Sequence, residues 1–120
     1  MANVDNILNL LEVGARAEGL RQRTLAANLA NMETPGYRRQ DVKFEELLAK
    51  ELESSGNLDL DEIDPELFEP RQTVVKANGN DVSFEVEVGE MVKNSLRHKT
   101  YLRLMSKRYK QMEAAINTNS

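Results

Sequence analysis

The hydrophobic positions of this chain fall into two long helical patterns, one toward each end, with a shorter and less regular stretch between them. Val4, Leu8, Leu11, Ala15, Glu18, Gln22, Leu25, Leu29 and Met32 recur in alternating steps of four and three, the spacing that keeps one stripe on one face of a helix. Polar Glu18 and Gln22 interrupt that stripe midway, and Ile7, Leu10, Val13, Ala17, Leu20 and Ala27 form a flanking apolar line. A helix apolar on two lines wants more than one neighbour. At about 1.5 Å per residue it spans roughly 40 Å. Asn3 or Asp5 can cap its start. Gly14 and Gly19 each cost about 1 kcal/mol relative to Ala, so the helix is marginal in isolation.

Thr34-Pro35-Gly36-Tyr37 ends this first pattern. Pro35 pushes Thr34 out of the right-handed helical region, and Pro-Gly is the pair expected at the centre of a type II turn. Asn28 and Asn31 lie on the last helical turn, where a short amide can bond to freed carbonyls.

At the other end Val82, Phe84, Val86 and Val88 alternate, which alone reads as a strand. A longer pattern competes with it: Phe84, Val88, Met91, Ser95, His98, Leu102, Met105, Tyr109, Met112 and Ile116 keep four-three spacing. Strands rarely exceed about ten residues, so the helix wins, at roughly 50 Å, with Asp81 or Ser83 as its cap.

The middle is less regular. Phe44 to Leu52 reads as a short amphipathic helix, with Asp41 as its cap and Ser54-Ser55-Gly56-Asn57 as its stop. Leu58 to Glu69 is acid-rich and holds Pro65, with Pro70 just after; it reads as loop with a turn of helix. Gln72 to Lys76 has strand composition and Asn78-Gly79-Asn80-Asp81 is a turn signal, which leaves a small hairpin open. The expected fold is mainly α, with long coiled-coil-like amphipathic helices at both ends of a short acidic middle. It forms one structural unit: 1–33 the N-terminal helix, 34–80 the Pro-Gly turn and acidic segment, 81–120 the C-terminal helix.

Composition sharpens this picture. Aromatic residues make up only 5% and Trp is absent, so Leu, Val, Ile, Met and Ala must supply the packing, which suits long helices better than a sandwich. Without Cys there is no disulfide, thiolate chemistry or thiol zinc site. No stretch approaches the roughly 20 apolar residues of a membrane span. Met1 to Asp5 lacks the basic and apolar regions of a cleaved signal peptide, so passage out of the cytoplasm needs another route.

The net charge of −4 hides two blocks. Acids crowd Asp41 to Glu69, whereas Lys93, Arg97, Lys99, Arg103, Lys107, Arg108 and Lys110 form a run without an acid. Such a helix could meet nucleic acid or an acidic membrane, be a solvated face, or pair with the acidic middle of another copy. The acidic balance and the lack of a groove-reading motif argue against nucleic acid.

Catalytic constellations are missing. His98 is the sole histidine and falls on the apolar stripe; Glu45 and Glu46 are adjacent and point to different helix faces; Gly79 and Gly89 are isolated; Ser95 has no base in a recognisable motif. The reading is no enzyme, no metal and no cofactor. Met91, Met105 and Met112 on one stripe suit core packing, or a surface that adapts to non-identical neighbours.

Taken together, Arg23, Ala26 to Asn31 and Thr34-Pro35-Gly36-Tyr37, then Asp41, Phe44 and Leu47-Leu48, then Gly79 to Val82 with Glu85, Glu87, Met91, Asn94 and Tyr101, resemble the flagellar basal-body rod proteins of the proximal-rod FlgB type. Met32-Glu33 departs from the smaller acidic or polar pair common in relatives, and Ser54 to Pro70 matches nothing firmly. The resemblance implies a structural subunit that polymerises into the periplasm-spanning rod and transmits motor torque. Its partners would be other copies, other rod subunits, the basal-body base through its MS-ring adaptor, and the flagellar export apparatus, which carries it out without signal-peptide cleavage. Neither nucleic acid nor membrane insertion is implied. Phe44 to Leu48 fits the short export-gate motif of early substrates, as does Phe84 to Val88.

With the seams, this makes Leu8, Leu11, Ala15, Leu25, Leu29, Met91, Leu102, Met105, Tyr109, Met112 and Ile116 the expected assembly interface, and Asn28, Asn31, Thr34, Pro35, Gly36 and Tyr37 the signature turn. Arg97, Lys99, Arg103 and Lys107 would face Glu45, Glu51 or Asp61 of a neighbour. The competing reading is a soluble helical adaptor or secretion chaperone, a stable helical dimer that never enters a polymer.

Overall fold

The computed structural model describes residues 2–55, 60 and 63–118. Helix α1 (Ala2–Ala30) and helix α3 (Phe84–Thr118) run antiparallel, so that Asn28 meets Glu87 at one end and Glu12 meets Tyr109 toward the other. Between them in sequence lie strand β1 (Asp41–Lys43), helix α2 (Glu45–Ser55) and strand β2 (Glu66–Phe68). The whole measures 66 × 29 × 15 Å. It is a thin slab.

The break after α1 has the expected chemistry. Gly36 adopts φ +75° and the Tyr37 N–H donates to the Thr34 carbonyl at 3.2 Å, as a type II turn centred on Pro35-Gly36 requires. Asn31 Nδ2 donates to the Ala27 carbonyl at 2.8 Å and closes the helix end. Asn28 does something else, described below.

Helix α3 begins at Phe84, and Ser83 Oγ accepts from the Val86 N–H at 3.4 Å as its cap. Asp81 is not the cap. Its carboxylate is buried and receives the Arg39 N–H at 2.6 Å. Helix α2 also starts without Asp41, whose Oδ1 accepts from Val42 inside β1; the Phe44 carbonyl takes the first bond, from Leu48 N–H at 2.9 Å. Glu45 and Glu46 in its first turn complement the helix dipole. Gly56 and Asn57, read as its stop, lie outside the described residues.

The small β element sits elsewhere than its composition suggested. Asp41, Val42 and Lys43 pair antiparallel with Phe68, Leu67 and Glu66, and Lys43 Nζ lies 5.0 Å above the Phe68 ring. Pro65 and Pro70 bracket β2, deny it a helix and hold its neighbours extended. Among the described residues Gln72 to Lys76 pairs with no strand. Its groups are spent on the following turn, with Lys76 N–H donating to the Asn80 carbonyl at 2.8 Å.

The apolar core is one-sided. Val13 and Ala17 of α1 pack against Phe44, Leu60 and Ile63, with Leu10, Leu47 and Leu48 around them. The middle segment thus covers one face of α1 and leaves its opposite face to other uses.

A signature clasp and an uncovered apolar face

Asn28 is fully buried and saturated. Its Nδ2 donates to the Gln40 carbonyl at 2.8 Å and to Glu87 Oε2 at 3.1 Å; its Oδ1 accepts from the Tyr37 hydroxyl and the Gln40 N–H, both at 3.0 Å. One side chain therefore ties the end of α1 to the chain after the turn and to the start of α3. Arg39 completes the clasp: its Nε donates to Glu87 Oε1 at 2.6 Å, deep in the structure. Burial works against the Arg39 charge, but the hydrogen bond and field of Glu87 outweigh it and its pKa rises. Burial and the nearby Glu87 carboxylate push the Tyr37 phenol up as well.

Asn80 makes a matching tie from the other side. Its Nδ2 donates to the Asn31 and Thr34 carbonyls, each at 2.8 Å, and its Oδ1 accepts from Val82 N–H at 2.8 Å. Gly36 N–H donates to the Asn78 carbonyl at 2.8 Å, and Gly79 adopts φ +84°. A Cβ on Gly79 would stand 3.3 Å from Gly36 Cα, so the two turns lie nearly backbone to backbone. Signature residues Asn28, Asn31, Thr34, Gly36 and Tyr37 and the distant Asn78 to Asp81 turn form one clasp.

A second polar centre lies farther up the helix pair. Glu18 is buried and accepts from Arg21 Nη1 at 2.6 Å, Arg97 Nε at 2.7 Å and Asn94 Nδ2 at 2.9 Å. Asn94 Nδ2 also donates to the Glu18 carbonyl at 2.8 Å. Arg21 continues to Glu45 on α2, so one network spans all three helices. Burial opposes the Arg21 charge, yet hydrogen bonding to Glu45 and the field of Glu18 raise its pKa. Glu45 is in turn held below the ordinary carboxylate range by its bond to Arg21, against the effect of burial. One turn along, the Tyr101 ring lies against Gly14, where a Cβ would come within 2.3 Å of Tyr101 Cε1.

The helix pair is thus joined by polar and small residues, while the apolar seam of α3 stands beside the joint. Glu87 and Asn94 are the buried residues of α3. Phe84, Val88, Met91, Leu102, Tyr109 and Ile116 are exposed, Leu102 by 49% and Ile116 by 69%. On α1, Leu25 is buried, whereas Leu8, Leu11, Ala15 and Leu29 are half-buried; Met105 and Met112 of α3 are half-buried too. Gln22 shares a groove with Met91, Asn94, Ser95 and His98, and the Tyr109 hydroxyl donates to Glu12 at 3.3 Å. Ala15 and Gln22 lie roughly opposite Val13 and Ala17 on α1, so the two seams border one face of the pair, away from the middle segment.

Other expected residues fare differently. Arg97 and Glu45 are engaged within the chain, and Asp61 lies outside the described residues. Phe44 is 1% exposed and Leu48 half-buried, whereas Phe84 and Val88 are exposed. Pro35 is exposed at the tip of its turn. Sequence reasoning passed over Gly14 with Tyr101 as a packing pair, and over Arg39. The interruption of the apolar stripe at Glu18 was the visible trace of the second polar centre. Among the described residues no helix is long and apolar enough to cross a membrane.

Comparisons with known proteins give the family. A family model described as flagella basal body rod protein matches residues 8–38, which holds most of α1 and the whole signature turn. The flagellar basal body rod protein FlgB of Aquifex aeolicus is 39% identical over 89 residues, covering 69% of this chain and 70% of that protein. The FlgB protein of Bacillus subtilis is 25% identical over 119 residues, covering 92% of each, and one from Cereibacter sphaeroides is 30% identical over 122 residues, covering 88% of this chain and 93% of that one. With the family model matched over the signature turn and similarity to the FlgB proteins that extends across the helices, the chain belongs to the flagellar basal body rod protein FlgB family, whose members are structural components of the basal-body rod.

Proposed function

We propose that the chain is a structural subunit of the proximal rod, that it polymerises through the uncovered face of its helix pair, and that the resulting stack transmits motor torque. The observation that carries this is the placement of α3's apolar residues: Met91, Leu102, Tyr109 and Ile116 remain exposed while Glu87 and Asn94 occupy the joint with α1. A run of exposed apolar side chains along one long helix marks an interaction surface. Leu8, Leu11, Ala15, Leu25, Leu29, Met105 and Met112 complete the proposed interface, Leu25 as its buried support.

Copies meeting through unlike patches continue as a helical stack instead of closing. Neighbours would be other copies, other rod subunits and the MS-ring adaptor at the base, in a rod that spans the periplasm. Export would proceed through the flagellar apparatus on an unfolded chain, because folding hides Phe44 of the Phe44–Leu48 motif. The uncovered apolar face of the helix pair gains its partners only on joining the rod, so association and stability are coupled.

Leu102→Asp, at an exposed site away from the clasp, tests this directly. Expected are unchanged helicity by circular dichroism, loss of concentration-dependent association in sedimentation, and failure to restore rods in a strain lacking its own subunit. Deleting Val4 to Leu11 should likewise abolish assembly. A stable dimer that neither change affects would instead favour an adaptor or chaperone.

A further inference from the structure

The geometry points to a second, electrostatic contact between copies: the outer face of α2 on one copy lies along the outer face of α3 on the next. This rests on the rod reading and adds to it the partner surface that sets stagger. The face of α3 turned away from α1 carries exposed Arg103, Ser106 and Lys110. The outward ridge of α2 carries exposed Glu46, Ala49 and Glu53. Both read a charge, a small residue three on and a charge of the same sign seven on, negative on α2 and positive on α3. Offsets of zero, three and seven fall on one helix face.

Laid parallel, the two ridges place Glu46 beside Arg103 and Glu53 beside Lys110, with Ala49 against Ser106, where small side chains let the helices approach. None of these four charged groups has an ion-pair partner among the described residues. The contrast with their neighbours is informative. Glu45 and Arg97, adjacent in character and expected from sequence to reach across copies, are already engaged by Arg21 and Glu18. The charges left over are the ones whose spacing matches. Because α2 packs on the α1 face served by Val13 and Ala17, whereas the Arg103 ridge lies on the far side of α3, one copy cannot satisfy both ridges itself. The contact is between unlike surfaces and does not close, so it propagates. Complementary charge of this kind fixes register and suppresses wrong partners more than it adds affinity.

The test is a charge-swap cycle on the full chain, read by sedimentation velocity at about 50 mM and about 500 mM salt. Glu46→Arg with Glu53→Arg, and separately Arg103→Glu with Lys110→Glu, should each weaken association about tenfold at low salt. The quadruple swap should restore it. Mixing the two doubly reversed chains should restore association in alternating order, since α2 of either chain then matches α3 of the other. Circular dichroism checks that each variant remains helical. If Leu102→Asp abolishes association while every charge variant associates like the parent, this inference falls and the rod reading stands. A parent chain that stays monomeric at every concentration overturns both. Weakening by the α3 reversal alone, with retention of anionic vesicles or DNA by the parent at physiological salt, assigns the basic ridge to another polyanion and overturns the α2 contact.

Discussion

Glu87 and Arg39 show how few side chains hold the base of this molecule. Both are nearly inaccessible to solvent, and each is the other's main partner. Removing one partner of such a pair leaves the other charged and buried, which typically costs about 3–5 kcal/mol. Arg39→Met should therefore lower unfolding free energy by about that amount in urea titrations. The double change with Glu87→Leu should recover much of the loss, because a buried pair replaced by apolar groups of similar volume is often near neutral. Glu45 behaves differently, being largely exposed and held ionised by Arg21. A carboxylate whose folded pKa lies below its unfolded value of about 4.3 adds stability above that pH, and the gain fades as pH falls through the folded value. The parent's melting temperature should thus drop more between about pH 4.5 and about pH 2.5 than that of Glu45→Gln.

The helices themselves were legible in the chain, because four-three spacing over many turns leaves few alternatives. The Pro-Gly turn was legible for a local reason, since proline and glycine restrict φ wherever they stand. What stayed hidden depends on contacts far apart in sequence. Asn28 looked like a residue closing its own helix, as Asn31 does; only the fold brings Gln40, Tyr37 and Glu87 around it. The seams were read as one continuous interface, whereas the structure splits the work: polar and small residues join α1 to α3, and apolar ones beside them remain outside. Asp41 and Asp81 have capping chemistry, yet tertiary partners claim both. Gly14 gives the clearest element-scale prediction. Intrinsic propensity favours Ala there by about 1 kcal/mol, but a Cβ would collide with the Tyr101 ring. Gly14→Ala should destabilise the chain despite the better helix former, and Gly14→Ala combined with Tyr101→Leu should recover stability, measured by thermal unfolding.

At the scale of the whole molecule, a slab 15 Å thick has little interior. Among the described residues its buried apolar set is Val13, Ala17, Leu25, Val42, Phe44, Leu60, Ile63 and Val82. Association that binds the folded form raises apparent stability by mass action, so the melting temperature of the parent should climb with protein concentration while that of Leu102→Asp stays flat. The clasp has a mechanical consequence too. Among the described residues, the buried side-chain bonds between α1 and α3 are Asn28 to Glu87 and Glu18 to Asn94, both on the clasp side of Gly14 and Tyr101. The pair is built like tweezers, fixed by buried bonds at the base and tied toward the tips by the exposed Tyr109 to Glu12 bond. Amide exchange should therefore be fastest near Lys110 to Thr118 and slowest near Glu87 to Tyr101, and a docking neighbour would grip the tips first, closing the jaws toward a fulcrum already set.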